Sequence, residues 1–120
     1  MHELSIMQNV VEAALEAAQE SHAIRVTSVK LRIGVLAGVV KDSLLFCYEV
    51  ATQGTLLEGS SLRIEELPVI VDCAVCGMAR TLPGVQSFRC PVCRTPATRL
   101  LQGRELEIES IEIEGAETPV

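Results

Sequence analysis

From Leu4 onward, apolar residues recur at Met7, Val11, Ala14 or Leu15, and Ala18, the i, i+3, i+7 rhythm of a helix with one buried face. Ser5 and Gln8 stand at capping-box spacing. The periodicity therefore predicts a first helix that starts near Ser5 and fades near Ser21, with Met1 to Leu4 as an arm outside its first turn. The pattern then turns to alternation. In "IRVTSVKLRIG", Ile24 and Val26 occupy one register and Val29, Leu31 and Ile33 the other, which predicts a strand ending at Gly34 with a slip or bulge near Thr27–Ser28. Past the turn-rich "GVLAGVVKDS", Asp42 or Ser43 is placed to cap a second helix. Leu44, Leu45, Cys47, Tyr48 and Ala51 spread over its apolar face, and Gly54 stops it. "SLRIEEL" alternates at Leu62 and Ile64 and halts at Pro68, a second strand.

Residues 69–102 lose this regularity: two cysteine pairs and Pro83, Gly84, Pro91 and Pro96 read as a separate small lobe without regular elements. Alternation returns in "RELEIESIEIEG", at Leu106 and Ile108, slips at Ser110 and resumes at Ile111 and Ile113, predicting a last strand. The economical arrangement is α+β: two helices packed on a three-stranded mixed sheet, residues 1–68 and 103–120, with a four-cysteine lobe, residues 69–102, inserted between the last two strands.

Composition narrows the function. The 120 residues are 48% hydrophobic with a mean hydropathy of +0.34, ample for a packed core. A net charge of −6 repels a phosphate backbone, and aromatics at 2% supply almost no stacking surface, so nucleic acid is a poor partner. No apolar run approaches the roughly 20 residues that span a bilayer, so no membrane role is expected. Five cysteines, an odd number, with no basic and apolar leader ahead of them, point to a reducing compartment and a cytoplasmic protein.

Cys73, Cys76, Cys90 and Cys93 are spaced as C-x2-C, thirteen residues, C-x2-C. Each two-residue spacer turns both sulfurs onto one tetrahedral edge and leaves turn N–H groups free to donate to thiolates. A redox dithiol would instead open a helix within a βαβ unit. Zinc is the expected ion, and four thiolates leave no open position for water, which makes the site structural.

At the other end, "MHE" offers the amine of Met1, the amide nitrogen of His2 and its imidazole Nδ1, which close one five-membered and one six-membered chelate ring. Planar nitrogen donors suit Ni(II) or Cu(II). On these residues alone the alternative stands beside it that His2 is a solvated chain end.

The opening "MHELSIMQNVVEAALEAA", the middle "VKLRIGVLAGVVKDSLLFCYEVATQGTLLEGSSLRIEELP", the cysteine quartet and the closing "LEIESIEIE" together resemble the HypA/HybF family of hydrogenase maturation proteins over essentially the whole chain. The resemblance implies a non-enzymatic nickel metallochaperone that passes Ni(II), with a HypB-type GTPase, to the [NiFe]-hydrogenase large subunit, and in some organisms serves urease maturation. It further implies nickel at Met1, His2 and Glu3, with His2 the ligand, and zinc at Cys73, Cys76, Cys90 and Cys93. Some members carry histidines beside the zinc cysteines. Here the neighbours are "CGMAR" and "CRTPA", which removes the basis for a histidine acid switch in this lobe.

Other candidates carry blander expectations. His22 is placed to favour the first helix's dipole, Cys47 to pack in the core, and Glu107, Glu109, Glu112 and Glu114 to form the wet face of a strand. A zinc-ribbon adaptor and a small metalloenzyme are the rival classes. Charge and aromatic poverty weigh against the first as a nucleic-acid binder, and the closed thiolate site with few acid–base groups against the second.

Overall fold

The computed structural model describes residues 3–116. Its elements are α1 (Glu3–Glu20), β1 (Ala23–Gly34), α2 (Lys41–Thr52), β2 (Ser61–Leu67), β3 (Ile70–Cys73), β4 (Met78–Thr81), β5 (Arg99–Gln102) and β6 (Leu106–Ala116). Two helices accompany a three-stranded mixed sheet in the order β2-β1-β6, as the α+β reading expected. Close contacts divide the chain into two units. The first comprises residues 1–31, 39–64 and 108–120, and the second residues 32–38 and 65–107. Among the described residues no helix is long and apolar enough to cross a membrane.

In the first unit, α1 packs on α2 and buries Ile6, Met7, Val11, Ala14 and Ala18, while α2 buries Leu44, Tyr48 and Thr52 at a four-residue step. Both sets lie on one face at helical spacing, where burying each large side chain contributes about 1.5–3 kcal/mol. Two expectations about helix starts are corrected. α1 begins at Glu3, so Glu3 and Leu4 belong to its first turn and are not an arm. α2 begins at Lys41, with Val40 as N-cap and no side-chain cap from Asp42 or Ser43. The carboxylate of Glu3 instead accepts the Val40 N–H at 3.4 Å, tying the N-termini of both helices together.

Glycine and histidine end the helices by the same backbone device. Gly54 follows α2 at φ 75°, and His22 follows α1 at φ 54°, its N–H donating to Gln19 O at 3.1 Å. His22 is exposed, serving the turn with its backbone. After α2, the Thr55, Leu57 and Ser60 loop is closed by hydrogen bonds. Tyr48 and Ser60 share one of 2.6 Å, and burial raises the Tyr48 phenol above its ordinary pKa.

The slip expected near Thr27–Ser28 shows in β1 as two consecutive buried residues, Ser28 and Val29, between Val26 and Leu31. Arg25 pairs with Glu114 and Lys30 with Glu109, ion pairs that tie β1 to its neighbour β6.

The second unit contains what the sequence did not announce, a three-stranded sheet in the order β4-β3-β5 within residues 69–102. β3 pairs antiparallel with both neighbours, Val71 opposite Arg80 and Leu100. Its apolar core is small: Val69, Val71 and Leu82, with Leu36, Ala97 and Leu100 against them. Gly34 and Gly103 meet here. A Cβ on Gly34 would fall 2.1 Å from the Gly103 carbonyl, so this approach is open only to glycine.

Candidate metal centre

Cys73 ends β3 and Met78 opens β4 as paired partners, so residues 74–77 form the turn of a hairpin. Within it Gly77 N–H donates to Cys73 O at 2.8 Å, Cys76 N–H points to Cys73 Sγ at 3.4 Å, and Gly77 takes φ 68°. The second pair repeats this turn. Arg94 N–H donates to Cys90 O at 2.9 Å, Cys93 N–H points to Cys90 Sγ at 3.5 Å, and Arg94 takes φ 67°. The left-handed position costs an arginine more than a glycine. Here Cys90 N–H to Thr95 O at 2.9 Å and Arg89 Nη1 to Arg94 O at 3.1 Å hold it in place.

The two turns bring all four sulfurs within 4.8 Å of one another. Cys73 Sγ lies 3.5 Å from Cys93 Sγ and Cys76 Sγ 3.8 Å from Cys90 Sγ. A tetrahedral ion with metal–sulfur bonds of about 2.3 Å has sulfur–sulfur edges of about 3.8 Å, so the donor set fits such an ion. Both distances are far beyond an S–S bond of about 2.05 Å, and the cysteines are free thiols. Cys73 and Cys90 are fully buried, Cys76 and Cys93 half-buried.

Electrostatics supports the same conclusion. The Cys93 N–H, helped by that of Val92 and opposed by burial, draws Cys90 down to about 6, and the Thr95 hydroxyl, 3.3 Å from Cys93 Sγ, lowers Cys93. At Cys73 the Cys76 N–H lowers the pKa, but burial and the neighbouring sulfurs outweigh it and push the thiol up to about 11. Sulfurs this close cannot all ionise unless a cation sits among them. The cluster can hold a soft, tetrahedral cation, and among the described residues it has no fifth donor for further chemistry.

The remaining candidates fall elsewhere. His2 lies outside the described residues. Glu3 bonds Val40. Cys47 departs from the core expectation: it is half-buried and lines a shallow depression with Glu3, Asp42 and Phe46. Glu107, Glu109 and Glu114 form ion pairs with Arg32, Lys30 and Arg25, as befits a wet face. Two residues around the cysteines went unread in the sequence: Thr95, and Arg80 on β4. The alternation of "MARTL" after Gly77 could have marked Arg80 as sharing a strand face with the core.

A small α+β chain with one closed four-sulfur centre is a metal-binding protein. Its relatives say of which kind. Residues 1–113 match the family described as "Hydrogenase/urease nickel incorporation, metallochaperone, hypA". The chain is 49% identical over 114 residues to the hydrogenase maturation factor HypA of Roseiflexus sp. (strain RS-1), covering 95% of this chain and 93% of that one. To the HypA of Chloroflexus aurantiacus (strain ATCC 29366 / DSM 635 / J-10-fl) it is 48% identical over 112 residues, covering 93% and 98%. The solution structure of the Ni metallochaperone HypA from Helicobacter pylori shares the fold with a TM-score of 0.68 at 23% identity, over 98% of this chain and 100% of that one. The chain belongs to the HypA family of nickel metallochaperones for hydrogenase maturation, which are carriers and not enzymes.

Proposed function

We propose that this protein carries Ni(II) on Met1, His2 and Glu3, with His2 as the ligand, and delivers it to the [NiFe]-hydrogenase large subunit together with a HypB-type GTPase. Urease maturation is a second client in the same chemistry. The quartet Cys73, Cys76, Cys90 and Cys93 holds Zn(II) as a structural ion. Residues 1–68 and 103–120 act as the nickel lobe and residues 69–102 as the zinc lobe, in the cytoplasm.

One observation carries this reading. Among the described residues, the cysteine quartet is the only cluster of three or more histidine, cysteine or acidic side chains arranged to hold an ion. Its four donors complete a tetrahedron and leave no position from which a cargo ion exchanges. A nickel carrier therefore needs donors elsewhere. His22 serves its turn with backbone atoms and stands in no ligand cluster among the described residues, and His2 is the other histidine of the chain. An amine, an amide and an imidazole in a plane suit Ni(II), and because amide and amine must lose protons on binding, affinity rises with pH.

The test compares Ni(II) binding by the untagged protein, by His2→Ala and by a form extended before Met1, with zinc content measured alongside. Both alterations abolish tight nickel binding while zinc stays near one per chain. Equal nickel affinity in all three would overturn the reading and leave the zinc-ribbon adaptor ahead.

A further inference from the structure

We propose that Arg80 is the charge partner of the metal–thiolate centre, its guanidinium set against the sulfurs of Cys76 and Cys90 to offset one of the two negative charges that four thiolates leave around a divalent ion. The inference rests on the reading that the quartet holds such an ion, and goes beyond it by assigning a residue outside the ligand set.

The register places Arg80. β3 and β4 are antiparallel, with Val71 opposite Arg80 and Cys73 opposite Met78, and directly opposed residues project to the same face. Val71 and Cys73 are the two buried residues of β3, so Arg80 shares the face of the core and the sulfurs. It is the least exposed residue of β4, whose other three members are all exposed. An arginine on such a face is costly unless a negative charge meets it. Its Nε is buried and, among the described residues, has no hydrogen-bond partner. Among the described residues no carboxylate is paired with it. On the strand face it shares with Cys73, the sulfur of Cys76, as hydrogen-bond acceptor first, and then the charges of Cys76 and Cys90 favour the charged guanidinium against the cost of burial. The Cys93 sulfur has a different neighbour, the Thr95 hydroxyl, a neutral group, at 3.3 Å. Arg80 is thus the cation that strand pairing sets on the face of the sulfurs, and it acts through the ligands as a positioning and charge-balancing residue.

The experiment uses the full chain, wild type and with Arg80→Lys, Arg80→Gln and Arg80→Met, with Co(II) as spectroscopic probe and Zn(II) in competition with a chromogenic chelator. A cation beside a thiolate lowers the energy of its lone pairs, so removing it moves the sulfur-to-cobalt charge-transfer band to lower energy. Arg80→Gln is expected to weaken Zn(II) binding by about 10–100-fold and to shift that band, while the d–d bands of tetrahedral cobalt stay in place. Arg80→Lys keeps a positive charge and retains most of the affinity and the band position. Arg80→Met preserves the apolar stem and stands in where the Gln variant does not fold. Neutral variants that bind Zn(II) like wild type with an unmoved band overturn the proposal, as does a Lys variant as weak as the neutral ones. Absence of any tetrahedral thiolate spectrum in the wild type would instead sink the metal reading itself.

Discussion

The two units hold themselves together by different physics. The helix–sheet unit buries Met7, Val26, Val29, Leu31, Leu44 and Leu57 almost completely, an apolar core of large side chains drawn from both helices, a strand and a loop. The cysteine unit's apolar core cluster is small, Val69, Val71 and Leu82, beside two buried ligands, Cys73 and Cys90. A core so small seldom sustains a fold by apolar burial alone. A metal ion held by the four sulfurs would supply the second unit's missing stability. The contrast teaches that exposure of apolar side chains means different things in the two places. Val75 and Val92 sit at the tips of the two cysteine turns, 68% and 64% exposed, because those turns are shaped around the sulfurs and not around a core.

Metal removal should separate the two regimes with the largest effect. Stripping the ion with a chelator takes away on the order of 10 kcal/mol of binding free energy that doubles as folding free energy. Residues 69–102 then become susceptible to limited proteolysis, while the far-UV helix signal of α1 and α2 persists. Simultaneous loss of the helix signal would erase the distinction.

A core truncation probes the other side. Leu44 is fully buried on α2, so Leu44→Ala should cost about 2–5 kcal/mol in denaturant unfolding of the helix–sheet unit and leave metal content unchanged. A matching drop in metal occupancy would show that the two regimes are not independent.

The smallest effect is one of pH. Cys73 is a thiol throughout pH 6–8, whether pushed up to about 11 in the folded cluster or near its ordinary value of about 8.5 in an unfolded one. Binding the ion must expel that proton, so affinity climbs as pH rises, by at least about tenfold per unit, or about 1.4 kcal/mol. Cys90, drawn down to about 6 in the folded cluster, has given up its proton over most of this window and steepens the slope only near its acid end. Chelator competition at three pH values measures the slope, and a flat profile would contradict it. The Leu44 core should show no such dependence.

Much of the helix–sheet unit was legible because its signals are local. Met7, Val11, Ala14 and Ala18 are buried as their spacing predicts, β2 spans Ser61–Leu67 as its alternation does, and Pro68 stops it. The helix starts were misread for a physical reason. Ser5 and Asp42 look like caps, but Glu3, brought close by the packing of α1 on α2, takes the Val40 N–H, and no local pattern contains that contact. The slip near Thr27–Ser28 is legible in the alternation, and Ser28 and Val29 are buried in succession there.

The sequence by itself determined the four-sulfur centre. A two-residue spacer closes each pair within one turn, and the left-handed residue after it, Gly77 or Arg94, completes the turn with no help from distant parts of the chain. Tertiary structure alone decided what surrounds those sulfurs. Arg80 shares the strand face of Val71 and Cys73 only because β4 pairs with β3 in one register, and Thr95 meets Cys93 only because the Phe88–Ala97 and Cys90–Thr95 backbone bonds fold the second turn back. Ligand spacing is written along the chain, whereas the charges that tune ligands come from strand pairing, which depends on contacts between segments that no local pattern records.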